Sequence, residues 1–90
     1  MKVTLEGAWS LSSSVALRPE PFGALAYHFG NRKLTFLKTP ALVRVVRALG
    51  GGPDVRAALA AAGVAEAEYA AYLAALDGLA ATDMIVERVA

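Results

Sequence analysis

A hairpin signal near the middle of the chain constrains the fold more than any other feature of the sequence. The dipeptide Gly30-Asn31 stands between two runs of alternating apolar residues, and such a dipeptide is typical of a two-residue β-hairpin turn. A turn there places Phe29 opposite Arg32. The further pairs follow by symmetry: His28 with Lys33, Tyr27 with Leu34, Ala26 with Thr35, and Leu25 with Phe36. Since side chains alternate across a strand, one face then carries Leu25, Tyr27, Leu34 and Phe36.

Strand and helix signals flank this hairpin. Residues 15–18 form a further short strand, which Pro19 and Pro21 are expected to end because they lack N–H groups. Thr39-Pro40 marks a helix start, with threonine as the cap and proline in the first turn. Leu42, Val45, Val46 and Leu49 recur at helical spacing as the buried stripe of this helix, and Gly50–Gly52 ends it.

Two more helices follow the glycines. Pro53-Asp54 begins a short second helix, and Gly63 is a candidate to close it. A third helix is predicted from about Ala65 to Ala80. One side of it carries a stripe of larger side chains: Tyr69, Tyr72, Leu73, Leu76 and Leu79.

The order of these elements predicts an α+β fold. Three strands in an antiparallel sheet followed by three helices form a small winged helix-turn-helix arrangement. Ninety residues are enough for one small core, so residues 1–90 are expected to form a single domain. Residues 1–13 carry little pattern and are predicted to be a loosely ordered lead-in, in which Trp9 is expected to pack against the domain.

The residue types present argue against catalysis. Cysteine is absent, which excludes disulfides, thiolate metal sites and cysteine nucleophiles. The single histidine, His28, has no ligand partners at metal-site spacing, and there is no phosphate-binding glycine motif. We therefore expect no enzyme activity, no metal and no cofactor. Because the sequence has neither a signal peptide nor an apolar run near the roughly 18 residues of a membrane span, we expect a cytoplasmic protein that does not bind membranes.

The helix-turn-helix order raises the alternative of a DNA-binding transcriptional regulator. In that motif the second helix of the pair enters the major groove and requires cationic or polar donors. The predicted third helix contains no lysine or arginine, and it carries Glu66, Glu68 and Asp77. Phosphate would repel such a helix, so nucleic-acid binding is disfavoured.

Peptide binding by strand addition fits the charge distribution better. The strand at Lys33–Leu37 can lie at a sheet edge and accept an extended peptide. Between Arg32 and Arg47 there are basic residues and no acids, so Arg32, Lys33 and Lys38 could attract an acidic peptide. On the third helix, Tyr69, Tyr72, Leu73 and Leu76 could form the opposite wall of the site. Those helix residues could equally belong to the hydrophobic core, and the cations could equally be part of an ordinary solvent-exposed surface.

Two segments, Arg18-Pro19-Glu20-Pro21-Phe22-Gly23-Ala24-Leu25 and Tyr27-His28-Phe29-Gly30, carry a resemblance to a known family. They are similar to the peptide chaperones of mycofactocin biosynthesis, within the PqqD-like family of precursor-peptide recognition domains. The resemblance implies a non-catalytic protein that binds the leader of the ribosomal mycofactocin precursor peptide. It also implies a second partner, a radical S-adenosylmethionine (SAM) maturase with iron–sulfur clusters, to which the peptide is presented.

The resemblance further implies where the leader binds. In this family it adds to the third strand of the domain, in a cleft against the third helix. The corresponding residues here are Arg32, Lys33, Leu34, Thr35, Phe36, Leu37 and Lys38, with Tyr69, Tyr72, Leu73 and Leu76 opposite. A free strand edge could also pair with another copy, so a monomer or a weak homodimer is expected.

The segment Arg18-Pro19-Glu20-Pro21-Phe22 has no evident role in such a cleft. One hypothesis is that its two prolines hold a rigid exposed loop that contacts the maturase. The alternative is a turn in which Arg18 and Glu20 pair with each other.

Overall fold

A computed structural model describes residues 3–88, which form two antiparallel sheets and three helices. The smaller sheet pairs β1 (Trp9–Leu11) with β5 (Ile85–Glu87). The larger sheet has the order β2 (Val15–Glu20), β3 (Gly23–His28), β4 (Leu34–Leu37). The helices are α1 (Pro40–Ala48), α2 (Val55–Ala61) and α3 (Tyr69–Ala81), with 3₁₀ turns at Leu49–Gly51 and Glu66–Glu68.

This architecture confirms the α+β prediction, with a three-stranded antiparallel sheet followed by three helices. The order of the elements is compatible with a winged helix-turn-helix. The β1–β5 sheet is an addition to the predicted plan. Among residues 3–88, none of the helices is long and apolar enough to cross a membrane.

The hairpin between β3 and β4 has the predicted register but a wider turn. Tyr27 pairs with Leu34, and the pairing runs on to Ala24 with Leu37. The predicted two-residue turn is wrong, because the His28 carbonyl accepts from the Arg32 N–H at 2.8 Å and the His28 N–H donates to the Lys33 carbonyl at 3.0 Å. Residues 29–32 therefore form a four-residue turn, with Arg32 at φ +63°. The pairing of β3 with β4 is the predicted one because the turn is longer by one residue on each side.

The imidazole of His28 holds this wider turn. Its Nδ1 accepts hydrogen bonds from the N–H groups of Gly30 at 3.0 Å and Asn31 at 3.1 Å. The side chain itself is buried. His28, the single histidine of the sequence, thus has a structural role in the turn.

Strand β2 continues through Pro19, which was expected to end it. The Phe29 N–H donates to the Ser14 carbonyl at 2.8 Å, and hydrogen-bonded pairs alternate along an antiparallel ladder. Since Pro19 pairs with Ala24, its nitrogen faces the free edge of β2. A proline there removes no ladder hydrogen bond.

The described part of the predicted lead-in, residues 3–13, is packed rather than loosely ordered. Val3 is buried, and Trp9 is also buried, which confirms the prediction that it packs against the domain. Strand β1 pairs Trp9 with Glu87 and Leu11 with Ile85. The sequence pattern around β1 did not reveal this pairing because its partner lies at the other end of the chain.

Arg88 joins the smaller sheet to the end of α1. Its Nε donates to the Trp9 carbonyl at 3.1 Å. One terminal guanidinium nitrogen donates to the carbonyls of Leu49 at 3.2 Å and Gly52 at 2.7 Å. A single cation thus satisfies three backbone acceptors from separate parts of the chain.

The first two helices begin where the sequence predicts, whereas α3 begins at Tyr69 and not at about Ala65, because a 3₁₀ turn occupies Glu66–Glu68. Thr39 caps α1 by accepting from the Leu42 N–H at 3.1 Å, and Asp54 caps α2 by accepting from the Ala57 N–H at 2.9 Å. Most of the larger fully buried side chains come from the helices and the final segment, and Val3 and Leu37 complete the set: Val3, Leu37, Val45, Val46, Leu49, Val55, Leu59, Leu76, Met84 and Ile85.

The β3–β4 hairpin turns its larger apolar side chains to solvent. The inner face, with Ala24, Ala26 and Leu37, is buried and packs against α1. The opposite side, here called the outer face, is exposed or half-buried, and Leu34 and Phe36 on it are 58% and 59% exposed. The outer face consists of Ala16, Arg18, Glu20, Leu25, Tyr27, Leu34 and Phe36, with Phe22 and Phe29 at its ends.

Candidate functional site

Strand β4 lies at the free edge of the larger sheet. The His28–Lys33 hydrogen bond fixes which residues point toward β3, and the next hydrogen-bonded pairs are Ala26–Thr35 and Ala24–Leu37. The backbone N–H and C=O groups of Leu34 and Phe36 therefore face outward. This edge offers unpaired backbone donors and acceptors to an extended segment.

Glycine at position 23 lets the end of β4 approach the sheet closely. A Cβ built on Gly23 would lie 2.1 Å from the Leu37 carbonyl oxygen, and the residue has φ +157°. No side chain fits there without moving the backbone of β4. The close contact also agrees with the inward direction of the Leu37 carbonyl.

An open groove of about 430 Å³ runs beside the free edge of β4. We call it the edge groove. It lies between β4 on one side and helices α1 and α3 on the other. Its lining residues are Thr35, Phe36, Leu37, Lys38, Leu42, Ala75, Gly78 and Leu79.

Small residues on α3 keep the edge groove open. Ala71, Ala75 and Gly78 recur at helical spacing, so they face the same side of the helix. A second depression lined by Thr39, Leu42, Ala71, Tyr72 and Ala75 shares Leu42 and Ala75 with the edge groove. The two form one continuous surface along α3.

Exposed cations lie at both ends of β4. Arg32 and Lys33 precede the strand, and Lys38 follows it. All three are exposed, and Lys38 also lines the edge groove. Their charge favours an anionic peptide on this edge.

The structure brings the predicted strand residues to the groove but divides the predicted helix residues. Thr35 through Lys38 line the edge groove, and Leu34 contributes outward backbone groups. Tyr72 lines the continuation along α3. Leu76 is fully buried, and Tyr69 and Leu73 are half-buried against the core. These three side chains of α3 therefore pack the helix against the core instead of lining the groove.

Sequence reasoning missed four residues that line the edge groove: Leu42, Ala75, Gly78 and Leu79. Alanine and glycine stand out in no hydrophobic pattern, and Leu42 was assigned to the buried stripe of its helix. The available signal was the recurrence of small residues at positions 71, 75 and 78, which marks a helix face that leaves space.

The segment Arg18–Phe22 mostly continues β2 and contributes to the outer face. The Arg18 Nε donates to Glu20 Oε2 at 2.9 Å, so the predicted local pair forms. It forms on a strand, however, and the prediction of a loop or a turn at Arg18–Glu20 is wrong because β2 extends to Glu20. Pro21 and Phe22 form the turn to β3. The Phe22 ring meets Phe36 edge-on, with ring centroids 5.7 Å apart, so the segment touches the side of β4 that faces away from the core.

Comparison with known proteins identifies close relatives. A sequence model of the peptide chaperone MftB family matches residues 8–86. The peptide chaperone MftB of Mycobacterium ulcerans is 58% identical over 78 residues, covering 87% of this chain and 72% of the relative. The protein of that name from Mycolicibacterium smegmatis is 56% identical, covering 88% and 78%. That from Mycobacterium tuberculosis is 51% identical, covering 89% and 73%. No solved structure gives a significant match.

Proposed function

The chain belongs to the peptide chaperone MftB family, and on that basis we propose that it binds the leader of the mycofactocin precursor peptide by β-strand addition and presents it to the radical SAM maturase in the cytoplasm. It is a chaperone and not an enzyme. The observation that carries the proposal is the free edge of β4, whose outward backbone groups border the edge groove.

Strand addition uses two kinds of contact at this edge. Leu34 and Phe36 supply outward backbone groups, and each hydrogen bond made there is worth about 0.5–1.5 kcal/mol net. A strand beside β4 would lie about 4.8 Å from it. Every second side chain of the leader would then enter the edge groove over Ala75 and Gly78, where α3 leaves space.

The cations at the ends of β4 give the site a preference for acidic leaders. Arg32 and Lys33 would attract carboxylates at one end and Lys38 at the other. Because these side chains are exposed, their effect should be mainly on association and should weaken as salt rises. The Arg18–Phe22 segment is proposed to contact the maturase, since its outward side chains lie away from the edge groove.

Calorimetric titration with a synthetic mycofactocin leader tests the proposal. Ala75→Phe should fill the edge groove and abolish saturable leader binding. Ala70→Phe is the matched control, since Ala70 is exposed on α3 and lies about 140° around the helix from Ala75. Both variants introduce the same residue into the same helix, so intrinsic helix propensity affects them similarly.

A DNA duplex in the same titration separates the two function classes. Saturable leader binding that Ala75→Phe removes and Ala70→Phe retains would support peptide recognition. Equal leader binding by both variants would place the site elsewhere. Salt-sensitive binding to DNA with none to the leader would favour the transcription-regulator alternative.

A further inference from the structure

The outer face is an exposed apolar surface that the leader site does not account for. Its centre carries Leu25, Tyr27, Leu34 and Phe36. Phe29, which is 64% exposed, meets Tyr27 edge-on with ring centroids 5.0 Å apart. A contiguous exposed apolar patch marks an interaction site, and aromatic residues are enriched at the energetic centres of interfaces.

The outer face is continuous with the edge that would bind the leader. Leu34 and Phe36 belong to both surfaces, since their backbone groups face the free edge while their side chains lie on the outer face. Side chains alternate along a strand. A leader strand added to β4 would therefore place every second side chain on the outer face, beside Phe36.

Charge decides which kind of partner fits this surface. The exposed cations Arg32, Lys33 and Lys38 lie at the ends of β4. Among the described residues of the outer face, the acid is Glu20, which is paired with Arg18. A second copy docked here would bring like charges together with little to neutralise them, whereas a protein with an acidic rim would be complementary.

We propose that the radical SAM maturase docks on the outer face through an apolar patch with an acidic rim, and that the bound leader contributes alternate side chains to the same interface. This inference rests on the proposed function and extends the contact from the Arg18–Phe22 segment to the whole sheet surface. Because such coupling is reciprocal, leader and maturase must raise each other's affinity by the same factor.

Phe29→Ser and Phe22→Ser test the proposal from opposite ends of the outer face. Neither residue lines the edge groove, so leader affinity should be unchanged in Phe29→Ser and should change little in Phe22→Ser, which removes a ring that contacts Phe36. Affinity for the purified maturase, measured with the leader bound, should fall about tenfold or more for Phe29→Ser as well as for Phe22→Ser. Val86→Ser is the control, since Val86 is 40% exposed on β5, outside this face, and should change neither affinity.

The outcomes separate this inference from the proposed function. Absence of leader binding by the unmodified protein would refute the proposed function itself. Normal leader binding with unchanged maturase affinity in Phe29→Ser would overturn the docking surface alone, whatever Phe22→Ser does. A homodimer in sedimentation that Phe29→Ser or Phe22→Ser converts to monomer would assign the face to a second copy, and would also overturn it. Circular dichroism and thermal unfolding confirm that each variant is folded.

Discussion

Proline at position 36 would remove one outward N–H group from the free edge of β4. The Phe36 N–H points away from β3, because the hydrogen-bonded pairs are formed by Thr35 and Leu37. Proline is tolerated on an edge strand when its nitrogen faces outward. Phe36→Pro should therefore leave the sheet folded while deleting one donor to the leader.

The size of the effect follows from the value of one hydrogen bond. A net contribution of about 0.5–1.5 kcal/mol corresponds to a loss of roughly 2- to 13-fold in leader affinity. The substitution also removes the ring that contacts Phe22. Phe36→Ala removes the same ring and keeps the N–H, so the ratio of dissociation constants of the proline and alanine variants isolates the backbone contribution.

Calorimetry with the synthetic leader measures both variants, and Thr35→Pro provides the contrast. The Thr35 N–H faces Ala26 inside the sheet, so proline there should lower the urea midpoint of unfolding as well as leader binding. Equal leader affinity for folded Phe36→Pro and Phe36→Ala would refute strand addition at this edge. Loss of the fold in Phe36→Pro but not in Thr35→Pro would refute the assigned hydrogen-bond alternation.

Three further predictions concern the scaffold and the maturase contact. Arg88→Met should lower the free energy of unfolding, measured in urea, by about 2 kcal/mol, because the carbonyls of Trp9, Leu49 and Gly52 lose a charged donor. The control is Arg56→Met, which breaks an exposed pair with Glu6 and should have a much smaller effect. Gly23→Ala should destabilise the protein by about 1–3 kcal/mol through strain against Leu37, whereas Gly51→Ala, with open space around its Cβ, should be close to neutral. Equal midpoints of thermal unfolding for the two variants would contradict the close approach of β4 to Gly23. Exchanging Arg18 and Glu20 together for alanine should weaken maturase binding in a pull-down and leave leader binding unchanged, and loss of leader binding instead would contradict the assigned roles.

Local signals predicted the register of the central hairpin and the starts of α1 and α2, but they placed the start of α3 about four residues too early. The pairing of Tyr27 with Leu34 depends only on where the turn is centred, so it was correct although the turn itself was too short. The turn length could not be read from Gly30-Asn31 because it depends on the imidazole of His28. The β1–β5 sheet was missed because its strands are short and far apart in sequence.

Sequence reasoning found the strand side of the candidate site better than the helix side. Alternation divides the strand residues between two faces, but it does not say which face the helices cover. Small Ala24 and Ala26 allow α1 to pack closely, so the larger apolar side chains of the hairpin remain outside. On α3 the large residues drew attention, yet Leu76 belongs to the core and the groove is lined by Ala75 and Gly78.

The pairing of β1 with β5 has a consequence for synthesis of the protein. Residues 9–11 leave the ribosome early, but their partners at 85–87 emerge only after the whole sheet and all three helices. During translation β1 therefore has an unpaired edge, and Trp9 lacks much of the packing that buries it. Among the described residues, β1 is thus made before the other strands, but it is paired only after β5 has been made and is free to move.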